Sequence, residues 1–126
     1  MNAGRTGSFA SDNVAAASPA IVAALAEAAA APAMPYGADP WTERAAARLR
    51  DVFECDLAVF PVVSGTAANA LALAALTPPW GAVACHGQSH IMADECGAPE
   101  FFTGGARLVA IAGDHARIDP AALAAW

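Results

Sequence analysis

The chain has 126 residues, a net charge of −6 at neutral pH and a pI near 4.7. That length holds one domain or part of one, and the acidic balance excludes a nucleic-acid binder, which needs a basic stripe. Hydrophobic residues make up 57% and charged residues 14%, which excludes a disordered chain and predicts a surface that meets other protein.

Met1 to Ser8 is polar and lacks the basic-then-apolar order of a signal peptide. Ser18-Pro19 reads as a helix cap followed by proline at the first helical position. The helix is expected to run to about Ala31, where Pro32 and Pro35 stop it. The whole apolar stretch from Val14 to Met34 is mostly alanine, interrupted by Pro19, Glu27 and Pro32, and so makes a poor membrane span. Asp39-Pro40 repeats the cap signal. The helix behind it carries Trp41, Ala45, Arg48, Leu49 and Val52 at helical spacing and ends near Glu54.

Leu57 to Val63 is a short apolar run rich in β-formers, which predicts a strand, although Pro61 fits a central strand poorly. Ser64-Gly65-Thr66 is the next turn and Ala67 to Leu76 a helix. A second strand is expected over Ala82 to Cys85, a helix over His90 to Cys96 ended by Gly97 and Pro99, and a third strand over Arg107 to Ala112. Thr103-Gly104-Gly105 reads as a turn, and Asp119-Pro120 opens a final short helix. Alternating strands and helices predict an α/β fold with a parallel sheet and flanking helices. Three strands do not cover such a sheet, so the fold reads as incomplete.

The strongest local feature is Val62 to Asn69, a strand-to-helix turn of small residues. A helix N-terminus offers free backbone N–H groups and the positive end of the macrodipole. Small side chains let an anion approach, and Ser64 and Thr66 add hydroxyls, an arrangement that suits a phosphate. The same residues also read as an ordinary capped turn. The Gly-Lys-Ser/Thr ending of a P-loop is missing. A second cluster, Cys85 to His90 with Asp94, Glu95 and Cys96, has ligand types suited to zinc. Gly87 stands where a zinc protease needs glutamate, and the preferred reading is a strand end with hydrogen-bonded histidines and no metal. Cys55, Cys85 and Cys96 are odd in number, which suits a reducing cytoplasm.

Several motifs stand together in order: Phe9-Ala10-Ser11-Asp12-Asn13; Tyr36-Gly37 with Asp39-Pro40; Ser64 to Asn69; Cys85-His86 through Ser89-His90-Ile91; and Asp94 to Glu100. Together they closely resemble the N-terminal part of low-specificity threonine aldolases of the β-eliminating lyase group. The resemblance covers nearly the whole chain after Phe9. It implies the aspartate-aminotransferase type fold and pyridoxal phosphate as cofactor. Residues 1–50 would be an N-terminal arm and helices, and 51–126 the first part of the large cofactor-binding domain. Ser64, Gly65 and Thr66 would hold the cofactor phosphate, and His90 would stack on the pyridine ring near the reacting hydroxyl. Glu95 would lie near the cofactor, and Ser11 would touch the substrate carboxylate. Tyr36 and Asp39 would line the site mouth or a subunit contact. The chain departs from the pattern at Ala38, where relatives carry an acidic residue.

The implied reaction is cleavage of a β-hydroxy-α-amino acid, a small amino-acid substrate, to glycine and an aldehyde by a homo-oligomeric enzyme. Another lyase or transferase of the same fold is the alternative, and a non-catalytic or metal-binding domain the next. Enzymes of this kind hold the cofactor through a lysine. All six basic residues here are arginine, and a guanidinium stays protonated and is a poor nucleophile. The chain is therefore expected to be the first portion of a longer enzyme and inactive alone.

Overall fold

The structure is a computed structural model that describes residues 14–126. The chain divides between Val59 and Phe60 into two compact units.

The first unit contains α1 (Pro19–Ala29) and α2 (Pro40–Phe53). Both begin with proline behind a capping side chain, as the sequence predicts. Ser18 Oγ accepts from the Ile21 N–H at 3.4 Å. The Asp39 cap is tighter: Oδ1 accepts from the N–H groups of Trp41 and Thr42 at 2.9 and 2.8 Å, and Oδ2 from the Thr42 hydroxyl at 2.7 Å. Bonding to the Thr42 hydroxyl and then to its N–H holds the Asp39 carboxyl below its ordinary range. Helix α2 ends at Glu54, which takes the left-handed conformation. Arg50 Nε donates back to the Leu57 carbonyl at 3.1 Å and folds the following segment toward the helix.

The strand expected over Leu57 to Val63 is not formed. Pro61 has no N–H to give a ladder, and Phe60 and Val63 are exposed rather than paired in a sheet. Among the described residues the sheet has two strands, not three.

The second unit runs α3 (Gly65–Leu76), β1 (Ala82–His86), α4 (His90–Ala93), α5 (Ala98–Phe102), β2 (Arg107–Ile111) and α6 (Pro120–Ala124). Strands β1 and β2 are parallel, with Ala82 opposite Arg107 and His86 opposite Ile111. Parallel neighbours need a crossover, and here α4 and α5 supply it. Helix α3 begins two residues before the expected Ala67, because Ser64 is its cap and Gly65 and Thr66 form its first turn. The helix expected over His90 to Cys96 stops at Ala93, and Gly97-Pro99 opens α5 instead of ending a helix. Proline is tolerated there because first-turn N–H groups lack helical partners anyway.

Ala70, Cys85, Pro99, Thr103, Ala106 and Ile111 are buried in this unit, and α3 packs against α5. Burying a side chain the size of Ile111 contributes about 2 kcal/mol relative to exposure. Among the described residues, no helix is long and apolar enough to cross a membrane.

Candidate active site

The site starts at the N-terminus of α3. Ser64 is extended, and its Oγ accepts from the Ala67 N–H at 3.1 Å, while its carbonyl accepts from Ala68. That leaves the N–H groups of Gly65 and Thr66 without partners among the described residues. A Cβ built on Gly65 would meet nothing within 4 Å. The backbone there does not need glycine for its conformation, so what glycine provides is open approach to two free donors. A hollow of about 240 Å³ lies alongside, lined by Thr66, Ala70 and Leu71 of α3 and Phe102 of α5. Free N–H groups at the positive end of a helix, with open space at Gly65, have the chemistry that suits a phosphate group.

One turn further along α3, Asn69 Nδ2 donates to Glu95 Oε1 at 2.7 Å. His90 Nδ1 lies 2.7 Å from the same oxygen. Glu95 is brought inward by the corner between α4 and α5, where Cys96 and Gly97 both take positive φ, 52° and 77°. Glycine is the natural residue for the second of these. The Glu95 side chain has no exposed surface, whereas that of His90 is 65% exposed.

Burial pushes the Glu95 carboxyl up, but the bonds from Asn69 and His90 and the charge on His90 outweigh it, holding the group below its ordinary range. The hydrogen bond to Glu95 pushes the His90 imidazole up, with added attraction from Glu95 and Asp94 against a smaller opposing effect of burial. An ionised carboxylate only accepts, so Nδ1 carries the hydrogen in both states of the ring. Proton exchange is left to Nε2, at the exposed end of the side chain.

His86 is placed differently. Its Nδ1 accepts from the Gln88 N–H at 3.0 Å and its Nε2 donates to the Gly113 carbonyl at 3.0 Å. Both ring nitrogens serve to tie the end of β1 to the segment after β2. The two histidines of the Cys85–His90 cluster therefore hold different partners.

The sequence-predicted residues separate accordingly. Ser64, Gly65 and Thr66 form the helix start, and His90 and Glu95 form the hydrogen-bonded pair. Tyr36 belongs to the first unit, in a turn closed by the Ala38 N–H on the Pro35 carbonyl. It is fully exposed with φ at 62°. Ser11, with the rest of Phe9 to Asn13, lies outside the described residues. Asn69 stands in the quoted motif but was not singled out as a site residue. Its signal is present in the sequence: beyond Thr66 it is the one polar side chain in Gly65–Leu76.

The structure thus holds a helix start with two free N–H groups and, joined to the same helix through Asn69, a histidine set on a buried carboxylate, all within an α/β segment. The beta-eliminating lyase family model matches residues 8–126. The chain belongs to that family. It is 44% identical over 118 residues to a protein named low specificity L-threonine aldolase from Pseudomonas aeruginosa (strain PAO1), covering 94% of this chain and 34% of that protein. It is 42% identical over 115 residues to a second protein of that name from Pseudomonas sp. (strain NCIMB 10558), covering 91% of this chain and 33% of that protein. The chain thus spans about a third of the length of these curated relatives.

Proposed function

We propose that the chain is the N-terminal part of a pyridoxal-phosphate-dependent aldolase of the aspartate-aminotransferase type fold. The parent enzyme cleaves threonine-like β-hydroxy-α-amino acids to glycine and an aldehyde in the cytoplasm, as a homo-oligomer. The observation that carries this reading is the His90–Glu95 pair standing beside the open start of α3, in a chain with two relatives named threonine aldolase.

When bound, pyridoxal phosphate supplies an electron sink for the carbon whose bond breaks. The N–H groups of Gly65 and Thr66 would hold its phosphate, assisted by the Ser64 and Thr66 hydroxyls. His90 would pack against the cofactor's ring. Neutral Nε2 takes the proton from the substrate β-hydroxyl as the carbon–carbon bond breaks, and protonated Nε2 returns one. Glu95 fixes the tautomer that makes this possible and strengthens the base. A base of raised pKa is neutral only toward higher pH, so activity rises as His90 loses its proton. The linking lysine is not among the 126 residues, and the chain alone is inactive.

The test is glycine release from threonine and from phenylserine by the full-length parent enzyme loaded with pyridoxal phosphate. Release from either substrate, reduced at least tenfold by His90→Gln, supports the reading. No release from either, with cofactor demonstrably bound, rejects it.

A further inference from the structure

We infer that Asn69 is a positioning residue: its amide pins Oε1 of Glu95 from the α3 side, so that the carboxylate stays aimed at Nδ1 of His90. The inference rests on the reading of His90 as the proton-handling group.

Three observations carry it. Glu95 and His90 are five residues apart on one segment, whereas Asn69 reaches Glu95 from 26 residues away. Asn69 is thus the link that ties the pair to the helix whose start receives the anion. Secondly, Oε2 of Glu95 is buried and has no hydrogen-bond partner among the described residues. Oε1 therefore carries all the hydrogen bonding of a carboxylate with no exposed surface, and Asn69 supplies half of it. With the Asn69 bond gone, nothing but His90 holds the carboxylate in place, so it is free to turn away from Nδ1 and the imidazole loses the partner that favours its charged form. Thirdly, asparagine inside a helix is disfavoured relative to the alanine and leucine around it. The cross-element bond offsets that cost.

The charged surroundings are simple. Glu95 and Asp94 act on the ring from its own segment. Helix α5 carries Glu100, and Gly65–Leu76 of α3 has no ionisable side chain. Asn69 therefore acts on His90 through Glu95 and not by a charge of its own.

The experiment is an NMR titration of the His90 imidazole in the full-length parent enzyme freed of cofactor, with the signal assigned by its loss in His90→Gln. Asn69→Leu keeps the branched shape without a donor, and Asn69→Ala removes the side chain. Both are expected to lower the His90 midpoint by about half a unit or more, about a threefold loss of proton affinity. Glu95→Gln lowers it as well, and adding Asn69→Leu to Glu95→Gln then changes nothing further.

An unchanged midpoint in either folded Asn69 variant overturns the inference. So does an Asn69→Leu shift that persists in the Glu95→Gln background. Loss of the folded state in both Asn69 variants overturns it too, since Asn69 would then be a structural support. No cofactor or substrate enters the measurement, so failure here leaves the aldolase assay unaffected, and failure of that assay leaves this result standing.

Discussion

His90 and Glu95 form a hydrogen bond across the solvent boundary: Nδ1 lies 2.7 Å from Oε1, with the imidazole side chain 65% exposed and the carboxylate side chain fully buried. The buried partner fixes the ring and its tautomer, and the exposed end keeps Nε2 accessible. This is the division of labour a side chain needs when it must be held at one nitrogen and reactive at the other.

The pair gives stability a defined pH dependence. The folded-state pKa of His90 is raised above its ordinary 6.5, first by the bond to Glu95. Its contribution is complete below 6.5 and is lost as pH rises through the raised value. For Glu95, burial opposes ionisation, but the bonds from Asn69 and His90 win, and the pKa lies below its ordinary 4.5. That contribution is complete above 4.5 and is lost as pH falls through the lowered value. Both are present between 4.5 and 6.5. Urea midpoints of the chain are expected to be highest in that window and to decline on both sides, with Glu95→Gln flattening both declines. Parallel curves for the two proteins would show that the pair contributes nothing to folding.

Gly65 separates folding from binding. A Cβ there meets nothing within 4 Å, and the backbone does not require glycine. Gly65→Ala is therefore expected to stabilise the chain by about 0.4–1 kcal/mol through the unfolded state. The added methyl stands over the approach to the two free N–H groups, so affinity for pyridoxal phosphate is expected to fall several-fold. Chemical denaturation and a pyridoxal phosphate titration of the same variant measure the two effects. Unaltered cofactor affinity in Gly65→Ala would place the phosphate elsewhere.

The legible parts of the fold are those with local chemistry. Pro19, Pro40 and Pro120 follow capping side chains that accept from the next N–H groups, and each helix starts where that pattern predicts. Strands β1 and β2 emerge from their short apolar runs within a residue of the expected ends. What failed depended on distant partners. Leu57 to Val63 has the composition of a strand but pairs with none, and composition does not disclose a missing neighbour. Gly97-Pro99 has two meanings, helix end and helix start, and the left-handed turn at Cys96 and Gly97 decides for a start. Of the candidate site, the capped small-residue start at Ser64 to Asn69 and the nearness of His90 to Glu95 along the chain were legible in the sequence. The role of Asn69 was not, because its bond spans 26 residues.

Thr103 carries the last prediction. It sits in the expected Thr103-Gly104-Gly105 turn, yet it is buried with Ala106 directly behind it. Its hydroxyl donates to the Pro99 carbonyl at 2.8 Å and accepts from the Ala106 N–H at 3.1 Å. One oxygen therefore closes α5 and opens the path into β2. Thr103→Val keeps the shape but strands the buried Ala106 N–H, and is expected to cost about 1–3 kcal/mol. Thr103→Ser keeps the hydroxyl and loses one methyl, and is expected to cost about 1 kcal/mol or less. Urea denaturation of both variants gives the order. A serine variant less stable than the valine variant would mean that the methyl's packing, and not the hydroxyl's two bonds, holds the corner that delivers β2 to the sheet.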